Sequence, residues 1–178
     1  MADITNGTWI NNGKAADAVY QSGVKVYGRN LYVDTKNFDN SSAWINSGAC
    51  SKTEETLNGL TVLKTNSSWN GLGQTIQAKK GENYTFSLYA RYQSGTGNSN
   101  MYFDPTGVTN TNPRTVRVYL DETWKLLIGT FTITNDGPVI ARIERTNNNT
   151  NTLLIAGIKL ELGATATPYS QAPEDILN

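Results

Sequence analysis

The sequence predicts an all-β protein, an antiparallel two-sheet β-sandwich of jelly-roll type. Apolar and polar side chains alternate strictly along Asn83–Tyr92, which is typical of a strand with one packed and one solvated face. Several shorter runs of the same kind are separated by turns rich in Asn, Gly, Asp and Pro, and no stretch has the period of an amphipathic helix. Many short strands with turns between them favour a sandwich.

Residues 1–28 are predicted to be separate from the domain that follows. They contain two runs, NGTWINNGK and AVYQSGVKVYG, that resemble short strands broken by Asn-Gly or Ser-Gly turns and favour a small hairpin. Residues 17–20 alternatively fit the end of a short helix. Because few apolar side chains recur at any one period, we interpret residues 1–28 as a linker or the tail of a preceding module, dispensable for folding, and residues 29–178 as one domain. The first residues do not resemble a signal peptide.

The remaining strands follow from runs of alternation between turn signals. They are predicted at residues 28–33, 58–64, 69–77, 83–92, 114–120, 124–134, 139–145 and 153–162. Residues 94–113 are predicted to be loop, and the proline-bearing tail after residue 162 is predicted to be extended.

Residues 69–77 and 83–92 are predicted to form a hairpin around which the domain is organised. Its turn is Lys79-Lys80-Gly81-Glu82, in which Gly81 supplies a positive φ. One parity of each strand provides the predicted core: Leu31, Leu72, Ile76, Tyr84, Phe86, Leu88, Val116, Val118, Phe131, Ile143, Ile158 and Leu160.

Composition argues against several classes of function. Lys and Arg total 15 and Asp and Glu total 15, so no net charge or basic stripe supports binding to nucleic acid or to an anionic membrane. No apolar run approaches membrane-spanning length. The chain has no histidine, which removes the commonest general base and zinc ligand. Its one cysteine, Cys50, cannot form an internal disulfide and is predicted to be a small packed side chain.

Without histidine, a carboxylate pair is the catalytic option that remains. Glu144 lies beside Arg142, where a cross-strand salt bridge explains it, and the other candidates fit turns or strand ends. We therefore predict that the protein is not an enzyme. The full set of candidates is Asp104, Asp121, Glu122, Asp136, Glu144 and Glu161.

No required cofactor is predicted from the sequence, but the sequence is compatible with a structural calcium ion. A β-sandwich supplies carboxylates and carbonyls for calcium from its strand ends. Asn30 at the start of the first predicted strand and Glu161 near the end of the last are the predicted ligands.

The polar faces of several strands carry side chains that suit sugars. Aromatic rings pack against a pyranose, and amides, hydroxyls and guanidinium groups bind its hydroxyls. Trp69, Tyr89 and Arg91 share one parity of the predicted hairpin and are expected to converge, although Trp69 equally fits the core. The loops 94–113 and 146–152 are the alternative location. The candidate saccharide-binding residues are Trp69, Tyr89, Arg91, Arg117, Tyr119, Arg142 and Glu144.

Six segments in order resemble a known family. They are GRNLYVDTKNF, SSWNGLGQTI, KKGENYTFSLYAR, TWKLLIGTFT, DGPVIARIE and LLIAGIKLELGATATPYSQAPED. The last is the most specific, because its apolar strand ends in KLE and is followed by Gly and then by A-T-P-aromatic-S-x-A-P-E-D. Residues 29–175 resemble jelly-roll carbohydrate-binding modules similar to families four and nine, in particular those of tail and baseplate proteins of phages that infect Gram-positive bacteria.

This resemblance implies a non-catalytic module that binds host surface saccharide. Its partners would be that saccharide and the rest of a distal-tail or accessory baseplate protein, and it would act in the virion at the host cell surface. Some relatives hold a structural calcium at the places that Asn30 and Glu161 occupy. Two alternatives stay open: a structural decoration domain of the virion without saccharide affinity, and a polysaccharide hydrolase.

Overall fold

The computed structural model describes residues 2–5, 7–104 and 110–177, with side chains for 7–104 and 110–177. Regular structure in these residues is almost entirely β-strand, and no helix among them is long and apolar enough to cross a membrane. The elements are β1 (Ala2–Thr5), β2 (Thr8–Asn11), β3 (Lys14–Ala15), β4 (Ala18–Gln21), β5 (Val24–Gly28), β6 (Ser51–Leu57), β7 (Leu60–Thr65), β8 (Ile76–Ala78), β9 (Asn83–Tyr92), β10 (Gly97–Tyr102), β11 (Thr111–Asn112), β12 (Thr115–Leu120), β13 (Lys125–Ile133), β14 (Gly137–Val139), β15 (Arg142–Arg145), β16 (Leu153–Leu162) and α1 (Glu174–Leu177).

The predicted antiparallel β-sandwich of jelly-roll type is confirmed. A six-stranded sheet in the order β11-β13-β9-β16-β7-β6 faces a three-stranded sheet in the order β12-β10-β15. Phe103, directly after β10, joins the two layers, since its ring centre lies 4.4 Å from that of Phe131 and 6.5 Å from that of Phe86. Stacked and edge-on aromatic rings of this kind fill the space between facing sheets.

The predicted core is confirmed in full. The buried members of the main cluster include Leu72, Tyr84, Phe86, Leu88, Phe131, Ile143, Ile158 and Leu160. The partly buried ones that pack against it include Leu31, Ile76, Val116 and Val118. For the members of this set that lie in strands, the inward face was therefore assigned correctly from the alternation of side chains, whereas Leu31 and Leu72 reach the core from irregular segments.

The predicted hairpin is wrong, although one of its strands is correct in every residue. Asn83–Tyr92 is β9, and Gly81 before it has the expected positive φ of 89°. Residues 69–75 are mostly irregular, and only Ile76–Ala78 forms a strand, which pairs with β14. β9 instead lies between β13 and β16. The turn at 79–82 therefore connects β8, which forms a two-stranded sheet with β14, to β9 in the six-stranded sheet.

Three further differences concern the positions of strands. The predicted strand at 28–33 is wrong, since β5 ends at Gly28 and side-chain oxygens of Asn30 and Gln74 accept the N–H groups of Tyr32 and Val33 in place of a neighbouring strand. The predicted loop at 94–113 contains β10 and β11. The edge strand β6, SKTEETL, has no apolar alternation that the sequence would reveal, yet it pairs with β7.

The N-terminal residues form hairpins, as predicted, and they contact the sandwich. β4 and β5 pair, so the short helix at 17–20 is not found. Tyr27 is buried, and Oγ1 of Thr8 donates a hydrogen bond to the carbonyl of Gln171. The domain boundary after residue 28 stays a prediction, and these contacts provide a way to test it.

Candidate functional site

The outer face of the three-stranded sheet collects polar and aromatic side chains in register. Asn100 of β10 lies opposite Arg117 of β12 on one side and opposite Glu144 of β15 on the other. Residues directly opposite in antiparallel strands point to the same face, so these three side chains form a row across the sheet. The two flanking rows on this face are Asn98 with Tyr119, and Tyr102 with Arg142.

An ion pair fixes one edge of this face. Glu144 is buried, and its Oε2 lies 3.0 Å from Nη2 and 3.1 Å from Nε of Arg142. The guanidinium carbon of Arg142 also lies 5.4 Å from the ring centre of Tyr102. The salt bridge expected for these two residues therefore exists, but it lies within one strand rather than across two. This ion pair keeps the guanidinium of Arg142 over the ring of Tyr102.

Trp69 borders this face in a backbone conformation that is uncommon for a bulky residue. Its φ is 54°, in the left-handed region. Its N–H donates to the carbonyl of Arg145 at 2.7 Å. Gly71 permits this approach, since a Cβ there would lie 2.3 Å from the carbonyl oxygen of Ile143. Trp69 remains 49% exposed, so this strained backbone conformation leaves an aromatic ring accessible to solvent. Strained conformations of this kind are common at functional sites.

The asparagine-rich loop at 146–152 lies against the same sheet. Asn149 is buried and donates from Nδ2 to the hydroxyl of Tyr92 and, at 3.2 Å, to the carbonyl of Asn98. A buried amide with several partners fixes the loop backbone. The loop residues left exposed are Asn147, Asn148 and Thr150.

Trp69, strands β10 and β12, and this loop enclose a groove of about 550 Å³. Its walls carry the indole of Trp69, the amides of Asn98 and Asn100, and the guanidinium of Arg117. Arg117 is exposed and has no hydrogen-bond or ion-pair partner among the described residues. Amides donate and accept, a guanidinium donates in a fork, and an indole offers an apolar face, so the groove suits a hydroxylated ring.

The structure thus brings together most of the predicted site residues and adds others. Those that meet on this face are Trp69, Arg117, Tyr119, Arg142 and Glu144. Those that the sequence did not indicate individually are Asn98, Asn100 and Tyr102, although they lie in the alternative location at 94–113. The sequence signal that could have indicated these residues is the alternation in GNSNMY, residues 97–102. Ser99 and Met101 of this segment are buried and face the core, so the residues between them face outward.

Tyr89 and Arg91 lie elsewhere, on the outer face of the six-stranded sheet. Arg91 donates from Nη2 to both carboxylate oxygens of Glu55, at 2.8 and 3.1 Å, and its guanidinium carbon lies 5.1 Å from a ring centre of Trp124. The predicted convergence of Trp69 with Tyr89 and Arg91 is therefore wrong. Its physical reason is the missing hairpin, since the segment with Trp69 contacts β15 rather than β9.

Asn30 and Glu161 do not fit a calcium site. Oδ1 of Asn30 accepts the backbone N–H groups of Tyr32 and Leu160, both at 3.1 Å, so its one amide oxygen is occupied. Glu161 lies 2.9 Å from Nζ of Lys25 and 3.7 Å from Nζ of Lys159, and these ammonium groups would repel a cation. Among residues 7–104 and 110–177 no group of three or more Cys, Asp or Glu side chains could hold a metal ion.

Comparison with known proteins agrees with this fold. No curated protein sequence matches the chain. A solved structure described as "CBM4 structure and function" is 15% identical with a TM-score of 0.50, over 74% of this chain and 94% of its own. A family 16 carbohydrate-binding module is 18% identical with a TM-score of 0.51, over 74% of this chain and 99% of its own.

A third similar structure is the enzymatically active domain of tailspike protein 4 of bacteriophage CBA120. It is 14% identical with a TM-score of 0.52, and the match covers 75% of this chain but 21% of the tailspike chain. At these identities the likeness shows the fold alone. The sequence itself matches the family model CBM_4_9, which is described as "Carbohydrate binding domain", over residues 29–147. The chain therefore belongs to this family of carbohydrate-binding domains.

Proposed function

We propose that the chain is a non-catalytic saccharide-binding module of a phage tail or baseplate protein, which holds a polysaccharide on the surface of a Gram-positive host. The observation that carries the binding function is the groove beside Trp69. Side chains from four separate segments converge there, and their chemistry is that of sugar recognition. The phage context is supported by the resemblance of residues 29–175 to tail and baseplate modules.

The groove suits a sugar chain that lies across the sheet. The exposed indole of Trp69 can stack on one pyranose ring, and Tyr119, which is 57% exposed, offers a second aromatic surface on the same face. Between them Asn100 and Arg117 present donors and acceptors to ring hydroxyls. A single site of this kind binds weakly, because sugar hydroxyls are well hydrated. Many copies on one particle would raise adhesion by about 10²–10⁴ through avidity.

The candidate catalytic carboxylates have structural partners, which supports a non-catalytic role. Asp104 accepts the backbone N–H of Thr111 at 3.0 Å and pairs with Arg114. Hydrogen bonds from Thr123, more than the nearby Lys125, hold the pKa of Asp121 well below its usual range. Asp104 and Asp121 are therefore occupied as hydrogen-bond acceptors within the fold, whereas glycoside hydrolysis needs a pair of carboxyl groups that face the substrate.

The binding function can be tested by affinity electrophoresis of the full chain through gels that contain cell-wall polysaccharides of Gram-positive bacteria. At least one polysaccharide should retard the protein, and Trp69→Ala and Tyr119→Ala should abolish most of the retardation. Tyr20→Ala is the matched control, because Tyr20 is 63% exposed on the N-terminal hairpin. No retardation by any polysaccharide would favour the structural decoration domain, and release of reducing ends would favour the hydrolase.

The phage context needs a separate measurement. A fluorescent fusion of the chain should label whole Gram-positive cells, and the same Trp69→Ala change should remove the label. Binding to soluble plant or fungal polysaccharides, with no labelling of any Gram-positive strain tested, would contradict the phage role and leave the saccharide-binding function intact.

A further inference from the structure

Two adjoining cavities lie on the outer face of the six-stranded sheet, on the side of the sandwich opposite the groove. They have volumes of about 350 and 280 Å³, and both are lined by Tyr89 and Tyr169. The tail that follows β16 crosses this face and supplies Tyr169, so the cavities exist only in the folded chain. We call the larger one, lined also by Lys36, Asn58 and Gln171, the polar cavity, and the smaller one the apolar cavity.

A glycine brings the two tyrosines together at the junction. Gly157 lies in a register shift of β16 and has a φ of +65°. A Cβ at this position would lie 3.2 Å from Cδ2 of Tyr89 and 3.7 Å from Cδ2 of Tyr169. Both rings therefore border the bulge at Gly157 and line both cavities, and we call this shared edge the Tyr89–Tyr169 junction. Tyr169 is held in place because its hydroxyl bonds Oγ1 of Thr35 at 3.0 Å.

The polar cavity contains side chains without partners in the part of the chain that the structure describes. The side chains of Lys36, Asn58 and Gln171, and the hydroxyl of Tyr89, make no hydrogen bond to any other described residue. They provide an ammonium, two amides and a phenol around one cavity. Such a set donates to and accepts from hydroxyl groups.

The apolar cavity has a different character. Leu126 and Ile128 of β13 border it and are 54% and 50% exposed, and Pro168 of the tail closes its other side. Large apolar side chains left exposed beside a cavity commonly mark a binding surface. A ligand that spans both cavities must therefore carry hydroxyls at one end and an apolar group at the other.

We propose that these cavities form a second binding site, for an acylated saccharide such as an N-acetylhexosamine oligomer. The sugar ring stacks on the Tyr89–Tyr169 junction, its hydroxyls face Lys36 and Gln171, and its acyl methyl contacts Ile128. The site lies on the opposite face from the groove, so it makes the module bivalent. It does not depend on saccharide binding in the groove.

The test is an NMR titration of the ¹⁵N-labelled full chain with the N-acetylglucosamine trimer, and with cellotriose as the matched ligand without acyl groups. The acylated trimer should shift the amides of Tyr89, Gly157 and Tyr169, and cellotriose should bind there at least about tenfold more weakly. Ile128→Thr and Tyr89→Ala should each weaken binding of the acylated trimer by about tenfold or more. The exposed control variant Tyr20→Ala should bind it unchanged.

Several outcomes would overturn the second site. They are shifts confined to the groove around Trp69, equal affinity of the two trimers at Tyr89, and no shifts with either ligand. Concentration-dependent dimerisation that shifts the Ile128 amide without sugar would mean that another copy of the chain covers this face. Loss of polysaccharide retardation in Trp69→Ala tests the groove separately, so failure of the second site and failure of the groove are distinguishable.

Discussion

The ammonium of Lys25 lies 2.9 Å from Oε1 of Glu161 and joins the N-terminal hairpin to the last strand of the sandwich. Both side chains are nearly inaccessible, at 7% and 0% exposure, and Lys25 also donates to the carbonyl of Leu162 at 2.7 Å. Gly28 allows the pair to form, because a Cβ there would lie 2.2 Å from Oε1 of Glu161. The residues interpreted as a linker thus neutralise a buried charge of the domain.

Lys25→Met is expected to lower the free energy of unfolding by about 1–3 kcal/mol. Removing one partner of a buried ion pair costs about 3–5 kcal/mol, and the loss is smaller here because Lys159 and Thr167 still contact Glu161. Urea denaturation followed by tryptophan fluorescence measures the change. Lys14→Met, at an exposed position of the same segment, should have no effect. An unchanged midpoint for Lys25→Met would support the view that residues 1–28 are dispensable.

Lys159 makes the stability depend on pH in the alkaline range. Burial lowers its pKa to about 8, although Glu161 acts in the opposite direction. The unfolded chain has an ordinary lysine pKa of about 10.4, so between about pH 8 and 10 the unfolded state binds more protons. Lys159 therefore contributes a rise of about 1–2 kcal/mol in the free energy of unfolding from pH 7.5 to 9.5, and the Cys50 thiol, whose pKa burial raises to about 11, acts in the opposite direction over the same range.

The matched variant for this effect is Lys159→Met, in which the rise should disappear. Denaturant titrations at each pH measure both proteins. The range ends at pH 9.5 because burial raises the pKa of several tyrosines, among them Tyr32 and Tyr169, and their ionisation in the unfolded chain lowers stability above about pH 10. A difference in the free energy of unfolding between the unmodified chain and Lys159→Met that stays constant from pH 7.5 to 9.5 would contradict the role of Lys159.

Asn149→Ala should weaken saccharide binding indirectly, because Asn149 positions the loop beside the groove and does not contact the ligand. Its amide fixes the loop that borders the groove, so its loss leaves the Tyr92 hydroxyl with fewer partners and the loop less ordered. We expect a loss of about 1–3 kcal/mol in stability, together with reduced retardation by polysaccharide. Asn148→Ala separates the two effects. Asn148 is exposed on the groove, so its replacement should affect binding alone.

Phe86→Ala should destabilise the sandwich by about 3–5 kcal/mol. Phe86 is fully buried between the layers, with ring centres at 6.4 Å from Tyr32 and 6.5 Å from Phe103. Leu126→Ala on the neighbouring strand is the control, since Leu126 is 54% exposed and should cost little. Chemical denaturation of both variants is the measurement, and similar losses for the two would be inconsistent with the assigned faces.

Two variants distinguish the groove from the outer face of the six-stranded sheet. The sequence predicted that Trp69 of the groove and Arg91 of that face belong to one site. Trp69→Ala should reduce polysaccharide binding with little change in thermal midpoint, because the indole is half-exposed. Arg91→Ala should leave polysaccharide binding unchanged and lower stability by up to about 1 kcal/mol, through loss of the Glu55 pair at the surface of the other sheet. The opposite pattern would place the polysaccharide site on the six-stranded sheet.

Local alternation was sufficient to determine the strands that carry the core. β9 and β16 were assigned at the correct residues, and every predicted core residue packs in the main cluster, because burial of one face imposes a period of two on the sequence. The same signal identified Arg117 and Tyr119 as outward-facing. It failed for β6 and β10, whose side chains are mostly polar and carry little hydrophobic contrast.

Strand pairing was decided only by the tertiary structure. Trp69 and Tyr89 are close in sequence, yet they lie on opposite sides of the sandwich, because β8 pairs with β14 and β9 pairs with β13 and β16. Alternation assigns a side chain to a face of its own strand, but it does not identify the neighbouring strand. The groove and the pairing of Lys25 with Glu161 join residues that are distant in sequence, so only the folded chain brings them together.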